Sequence, residues 1–178
     1  MRDKARGFSL IELLIVVAII LIIAAIAIPD LLKSRQAAQQ ASAVGSLRTI
    51  NTSEVTYSST YTLGFSYSLQ VLDNPDSVTV ATASDALLID SVLGQAVKSA
   101  YGFSYWASAV PAGSVMACAN PPGQSNAAST SNVTAYGINA SPILCAAGNG
   151  NYYFTDQSGV IRMNNAQVAS NTDPPLAG

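Results

Sequence analysis

The chain contains no histidine, only two cysteines and few charges, with 8 Lys and Arg against 10 Asp and Glu in 178 residues. Each shortage excludes something. Without histidine the commonest general base and metal ligand is missing, so Ser-His-Asp triads, Cys-His dyads and His-zinc sites cannot be built. A net charge of −2 leaves no basic surface of the kind nucleic acid requires, so no direct nucleic-acid site is expected. The wide separation of Cys118 and Cys145 excludes a CxxC metal or redox site. With no phosphate-binding glycine loop and no paired-carboxylate motif either, the chain is not expected to be an enzyme. A hydrophobic content of 49% excludes a disordered chain, and the length allows one domain of ordinary size plus an appendage.

The hydrophobic residues are concentrated at one end. Phe8 to Ile28 form a 21-residue run interrupted only by Ser9 and Glu12, roughly 30 Å long as a helix and therefore able to span a hydrocarbon core. Ahead of it, Arg2, Lys4 and Arg6 outnumber Asp3, which keeps this short segment cytoplasmic while the body crosses; Lys33 and Arg35 beyond the run weaken that bias. A secretory signal peptide has a shorter apolar stretch followed by small residues at its cleavage site. Ala25-Ile26-Ala27 fits loosely, but the run before it is too long and Pro29 follows closely. The small residue stands before the run instead, at Gly7.

Glu12 is the one charge inside the run. A carboxylate near the start of an apolar helix costs about 2.5 to 3.5 kcal/mol on the insertion scale. Either it reaches the membrane interface from the helix end, or it has a partner.

The segment Gly7-Phe8-Ser9-Leu10-Ile11-Glu12, continuing from Leu13 through Ile20 to Ala27-Ile28-Pro29, resembles the processing site of type IV prepilins. The residues from Ser42 to Tyr61 and the Tyr152-Tyr153-Phe154-Thr155-Asp156 stretch also look like members of the type IV pilin and type II secretion pseudopilin family. The resemblance implies cleavage between Gly7 and Phe8 by a prepilin peptidase, N-methylation of Phe8, and retention of the apolar helix. It implies that Glu12 of one subunit meets the Phe8 ammonium of its neighbour, making a homopolymer by helix packing. It also implies an inner-membrane platform and an assembly ATPase as partners. The subunit would be a single-pass inner-membrane protein, leader cytoplasmic and head periplasmic, before joining an extracellular pilus or a periplasmic pseudopilus.

The fold so implied is α+β, a long N-terminal helix with a transmembrane first half packed against an antiparallel β-sheet head. Its parts are a leader at 1–7, a filament-core helix half at 8–28, an amphipathic half at 29–58 and a globular head at 59–178. Pro29 removes a backbone donor and would bend or loosen a continuous helix, or else start a second one; the resemblance implies local unwinding here that would let a subunit stretch. Beyond it, Ala37, Ala41, Val44, Leu47, Ile50 and Val55 keep helical spacing to about Ser58. Ser84 or Asp85 offers an N-cap to a helix from Ala86 to about Lys98. Tyr101, Phe103, Tyr105 and Ala107 alternate as one face of a strand over 101–108. The stretches 115–119 and 133–138 are weaker strands, and 151–155 with 160–163 read as a hairpin. Trp106 is expected at the margin of the sheet or on its other face, and 171–178 as a frayed end.

Cys118 and Cys145, once outside the cytoplasm, are free to form a disulfide contributing about 3 to 4 kcal/mol, with two buried thiols as the alternative. Asp156 and Asp173 are weak candidates for calcium, but no dense oxygen-ligand motif is present and turn capping competes. Asn51, Asn132 and Asn139 match the short N-glycosylation pattern. Three functions fit: a structural subunit of a type IV pilus-like filament, the major pseudopilin of a type II secretion system, and a single-pass membrane-anchored binding domain.

Overall fold

The structure is a computed structural model and describes residues 8–74, 79–107, 133–143, 150–166 and 168–176. The backbone divides into two compact units, Met1–Ala38 and Gln39–Gly178, and helix α1, Leu10–Tyr61, contributes to both.

Within the first unit the helix is an apolar rod. Phe8 to Leu32 are exposed, apart from a half-buried Ala24. The rod is long and apolar enough to cross a membrane. The helical conformation runs unbroken through Pro29. Proline's fixed φ suits a helix, but Pro29 has no N–H for the Ala25 carbonyl and its ring crowds that carbonyl.

In the second unit α1 becomes one-sided, burying Ala43, Val44, Leu47, Ile50, Glu54 and Tyr57. Spacings of three and four residues keep these on one stripe. Val55 falls off that stripe and is 64% exposed, so the expected end of the apolar face is corrected: Glu54 and Tyr57 occupy it instead. The helix stops where Thr62 takes φ +54 while its N–H still bonds the Ser58 carbonyl, a left-handed terminus. Gly64 is next in the left-handed region, with φ +84, and a Cβ there would lie 2.3 Å from the Val133 carbonyl oxygen. No larger residue fits that crossing.

Two short helices come after it, α2 at Leu69–Leu72 and α3 at Ser91–Gly94. The expected helix from Ala86 to Lys98 is therefore corrected to a single turn, capped by Asp90, whose carboxylate accepts from the Leu93 N–H. Ala86, Leu88 and Ile89 instead donate their amides to the carbonyls of Val71 and Leu72. Long-range backbone bonds have displaced the local helix there.

The sheet is five-stranded and antiparallel in chain order: β1 Val97–Lys98, β2 Tyr101–Ala107, β3 Tyr136–Pro142, β4 Tyr152–Asp156 and β5 Arg162–Asn164. All seven residues of β2 are buried, which requires both faces of the sheet to be covered. Tyr101, Phe103, Tyr105, Ala107, Tyr136, Ile138, Ala140 and Tyr153 share one core with the α1 stripe. On the other face Tyr152 and Phe154 pack with Val168 and Ala169, and Trp106 is buried outside the main core. Asn139, its amide oriented to suit its neighbours, donates to the Tyr153 and Ala169 carbonyls at 3.1 and 2.8 Å.

Residues 170–176 are not frayed as expected; they fold back on β5. Arg162 Nη1 donates to the Asp173 carbonyl at 2.8 Å, and Leu176 N to the Ile161 carbonyl at 2.7 Å. The Asp173 carboxylate accepts from Asn164 Nδ2 and Ser170 N at 2.9 and 2.7 Å. The α+β layout expected from the sequence, a long apolar N-terminal helix followed by an antiparallel sheet, is the one observed.

Candidate functional site

The site indicated by the sequence sits at the start of α1. Ser9 occupies the N-cap position, Leu10 opens the helix and Glu12 lies in its first turn. Glu12 Oε2 accepts a hydrogen bond from the Ser9 backbone N–H at 3.1 Å, and Leu13 N donates to the Ser9 carbonyl at 3.3 Å. Ser9-Leu10-Ile11-Glu12 is the spacing of a capping box, in which the third helical residue reaches back to the cap amide. In the single chain the Glu12 carboxylate therefore serves one of the four amides that an α-helix leaves unpaired at its beginning. Phe8 precedes it, 77% exposed. Gly7 lies outside the described residues.

Beyond Glu12 the helix presents an uninterrupted apolar surface facing no other part of the first unit, with Leu14, Ile15, Ile19, Ile22 and Ile26 all exposed. Monomeric soluble proteins do not carry such a surface. Hydrocarbon or other apolar helices are its chemically compatible surroundings. Pro29 sits near the end of this surface, inside the helix.

The head contributes no comparable constellation. Among the described residues, no group of three or more His, Cys, Asp and Glu is placed to hold a metal ion. Asp156 Oδ1 accepts from the Ser158 amide and hydroxyl within its own turn, while both Asp173 oxygens serve the C-terminal fold described above. Cys118, Cys145 and Asn132 fall outside the described residues. Asn139 is buried, and the half-buried Asn51 has both amide atoms bonded to other parts of the head. Asn51 Nδ2 donates to Thr155 Oγ1 at 2.8 Å, its Oδ1 accepts from the Tyr136 hydroxyl at 3.1 Å, and Asn139 is buried in β3. A glycosylated Asn needs a free amide at the surface. Two open grooves flank exposed Arg48, one lined by Thr49, Thr52, Thr56 and Leu88, the other by Gly159, Val160, Ile161, Pro175 and Leu176. Neither encloses convergent polar groups of the sort a small-molecule site presents.

One buried polar cluster escaped the sequence reading. Glu54, fully buried on the core stripe of α1, accepts from Ser66 N at 2.9 Å through Oε2 and lies 2.6 Å from Ser66 Oγ and 2.8 Å from the Tyr105 hydroxyl through Oε1. Burial pushes its carboxyl above the ordinary carboxylate range, and the Ser66 and Tyr105 bonds only partly oppose this. The available signal was its position, four residues after Ile50 and seven after Leu47.

Residues 2–28 match the family model described as the prokaryotic N-terminal methylation motif. Over 54 residues the chain is 48% identical to the type IV major pilin protein PilA of Myxococcus xanthus (strain DK1622). The match covers 30% of this chain and 24% of that protein, so it spans about a quarter of the relative's length. No solved structure matches the chain.

Proposed function

We propose that the protein is a structural subunit of the pilin and pseudopilin type, stored in the inner membrane by its apolar helix and polymerised through that helix into a pilus-like filament. The observation that carries this reading is the joining of the methylation motif, with Glu12 in the first helical turn, to an apolar surface that no other described part of its own unit covers. A signal anchor alone needs the apolar run but neither Gly7 nor Glu12.

Assembly begins with a cut. A prepilin peptidase cleaves between Gly7 and Phe8, and the new amino group of Phe8 is methylated. The amine remains a cation one turn from Glu12. In lipid, Glu12 is held by the Ser9 amide; in the filament it exchanges part of that bond for the Phe8 ammonium of the adjacent subunit. Both charges leave the lipid together, which fixes the axial register between neighbouring helices. Removing one member of such a pair strands the other, at about 3 to 5 kcal/mol. Lipid contacts are replaced by helix contacts of similar apolarity, so extraction relies on an assembly ATPase and a membrane platform rather than on a hydrophobic gradient.

Glu12→Ala tests this. The variant should insert in the inner membrane at normal levels and be absent from sheared filaments, whereas filaments containing it at wild-type levels would overturn the assembly role. Deleting the whole protein separates the two systems: loss of surface fibres marks a pilus subunit, and intact fibres with failed protein secretion mark the pseudopilin.

A further inference from the structure

The Glu54 cluster has no part in the assembly chemistry, and its hydrogen bonds require one more proton than an ionised carboxylate allows. Four contacts are shorter than 3 Å: Ser66 N to Glu54 Oε2 at 2.9 Å, Ser66 Oγ to Oε1 at 2.6 Å, Tyr105 OH to Oε1 at 2.8 Å, and Tyr105 OH to the Ser66 carbonyl at 2.8 Å. Each hydrogen bond needs its own proton. The Ser66 amide and the two hydroxyls supply three. A protonated Glu54 supplies the fourth: Ser66 Oγ–H donates to Oε1, Oε1–H donates to the Tyr105 oxygen, and the Tyr105 hydroxyl donates to the Ser66 carbonyl. The longer contacts from Ser66 Oγ, to the Ser68 carbonyl at 3.1 Å and to the Tyr105 hydroxyl at 3.2 Å, are then empty, and the Ser68 carbonyl already accepts from Val71 N.

We propose that Glu54, Ser66 and Tyr105 form a pH-sensitive latch, which holds the segment after α1 against the helix and β2 while the Glu54 carboxyl keeps its proton, and frees it when the proton is lost to solvent. The latch joins three parts of the chain, α1, the segment after it and β2, and Ser66, like Glu54, is fully buried. Tyr57 faces Glu54 from its own helix, Tyr105 from β2 and Tyr136 from β3, and burial raises all three phenols, so none is an anion at neutral pH. From the latched segment, Tyr67 lies near Tyr57. Among the described residues the ion pair is Lys98 with Asp90; no cation compensates Glu54. Burial acts in the same direction, favouring the neutral acid.

A carboxyl raised in the folded state contributes stability at acid pH, and that stability declines as pH rises from the unfolded value, near 4.5, towards the folded one. Over that interval the unfolding equilibrium constant rises up to tenfold per pH unit. Above the folded value the latch itself opens.

The chain has two glutamates, Glu12 and Glu54, so glutamate labelled with ¹³C at the side-chain carboxyl gives two resonances in the detergent-solubilised full chain, and Glu12→Gln assigns them. Glu54 is expected at the protonated-acid position at pH 6, with Ser66 amide exchange protection lost as it titrates at higher pH. In Glu54→Gln, whose amide fills the fourth contact without titrating, Ser66 protection should stay constant over the same range after correction for intrinsic exchange. A Glu54 resonance at the carboxylate position at pH 6 overturns the proposal even if the Gln variant does not fold. Equal pH dependence of Ser66 protection in wild type and Glu54→Gln overturns it as well.

Discussion

Replacing Ala100 by glycine should stabilise the protein, although glycine usually does the opposite. β1 and β2 are joined by the two-residue turn Ser99–Ala100, with Lys98 paired to Tyr101. Both turn residues have positive φ, 52° and 65°, as in the type I′ turn that matches the twist of a hairpin and normally calls for Asn-Gly. An L-residue with a Cβ loses about 1 to 2 kcal/mol in this conformation, and Ala100 is exposed, so its methyl group recovers little by packing. Glycine removes the strain but adds about 0.5 to 1 kcal/mol of unfolded-state entropy, leaving a net gain of about 0.5 to 1 kcal/mol. The control is the same substitution at Ala41, exposed and in the middle of α1, where glycine should cost about 1 kcal/mol. At about 2 to 4 °C per kcal/mol for a chain of this size, thermal unfolding in detergent should place the two variants about 3 to 8 °C apart, on opposite sides of wild type. If Ala100→Gly melts below wild type, strain in the turn is not what the backbone angles indicate.

Leu47→Ala removes a fully buried side chain from the core stripe and should cost about 2 to 5 kcal/mol, seen as a lower urea midpoint with unchanged slope. Val55→Ala, on the exposed side, should stay within about 0.5 kcal/mol of wild type. Asp90→Ala should lose about 1 kcal/mol through the missing N-cap. Although burial raises the Asp90 carboxyl, Lys98 and the Leu93 amide outweigh it and hold the carboxyl below its ordinary value near 3.8. Its contribution is therefore present at neutral pH and fades as pH falls through that lowered value, so the gap in melting temperature between wild type and Asp90→Ala should narrow in acid.

The sequence was informative wherever a local pattern agreed with the packing. The apolar run, the alternation of Tyr101, Phe103, Tyr105 and Ala107, and the turn from Asp156 to Gly159 each stand in the structure as a helix, a core-facing strand and a hairpin. It misled where distant partners decide the outcome. Ala86 to Ile89 have helical composition, yet their amides bond the carbonyls of Val71, Leu72 and Asp73. The tail carries turn residues that suggest fraying, yet Asp173 and Leu176 tie it to β5. On α1, choosing Val55 by hydrophobicity overlooked that Glu54 holds the position geometry assigns to the core. A carboxylate is read as solvent-facing because burying one is costly, and the Ser66 and Tyr105 partners that make it tolerable lie 12 and 51 residues away. Of the candidate site, Glu12 and the apolar surface were legible because both are local in sequence; the bond from the Ser9 amide to Glu12 came only from the structure.

Filament assembly of this kind requires a helix that is retained, trimmed at its start and reused as the contact between subunits. Mass spectrometry of the N-terminus of the protein purified from sheared filaments or from the inner membrane tests this most directly. A mature chain beginning with N-methylated Phe8 is the predicted result; a functional chain that still begins at Met1, or one that begins beyond Pro29, would contradict it.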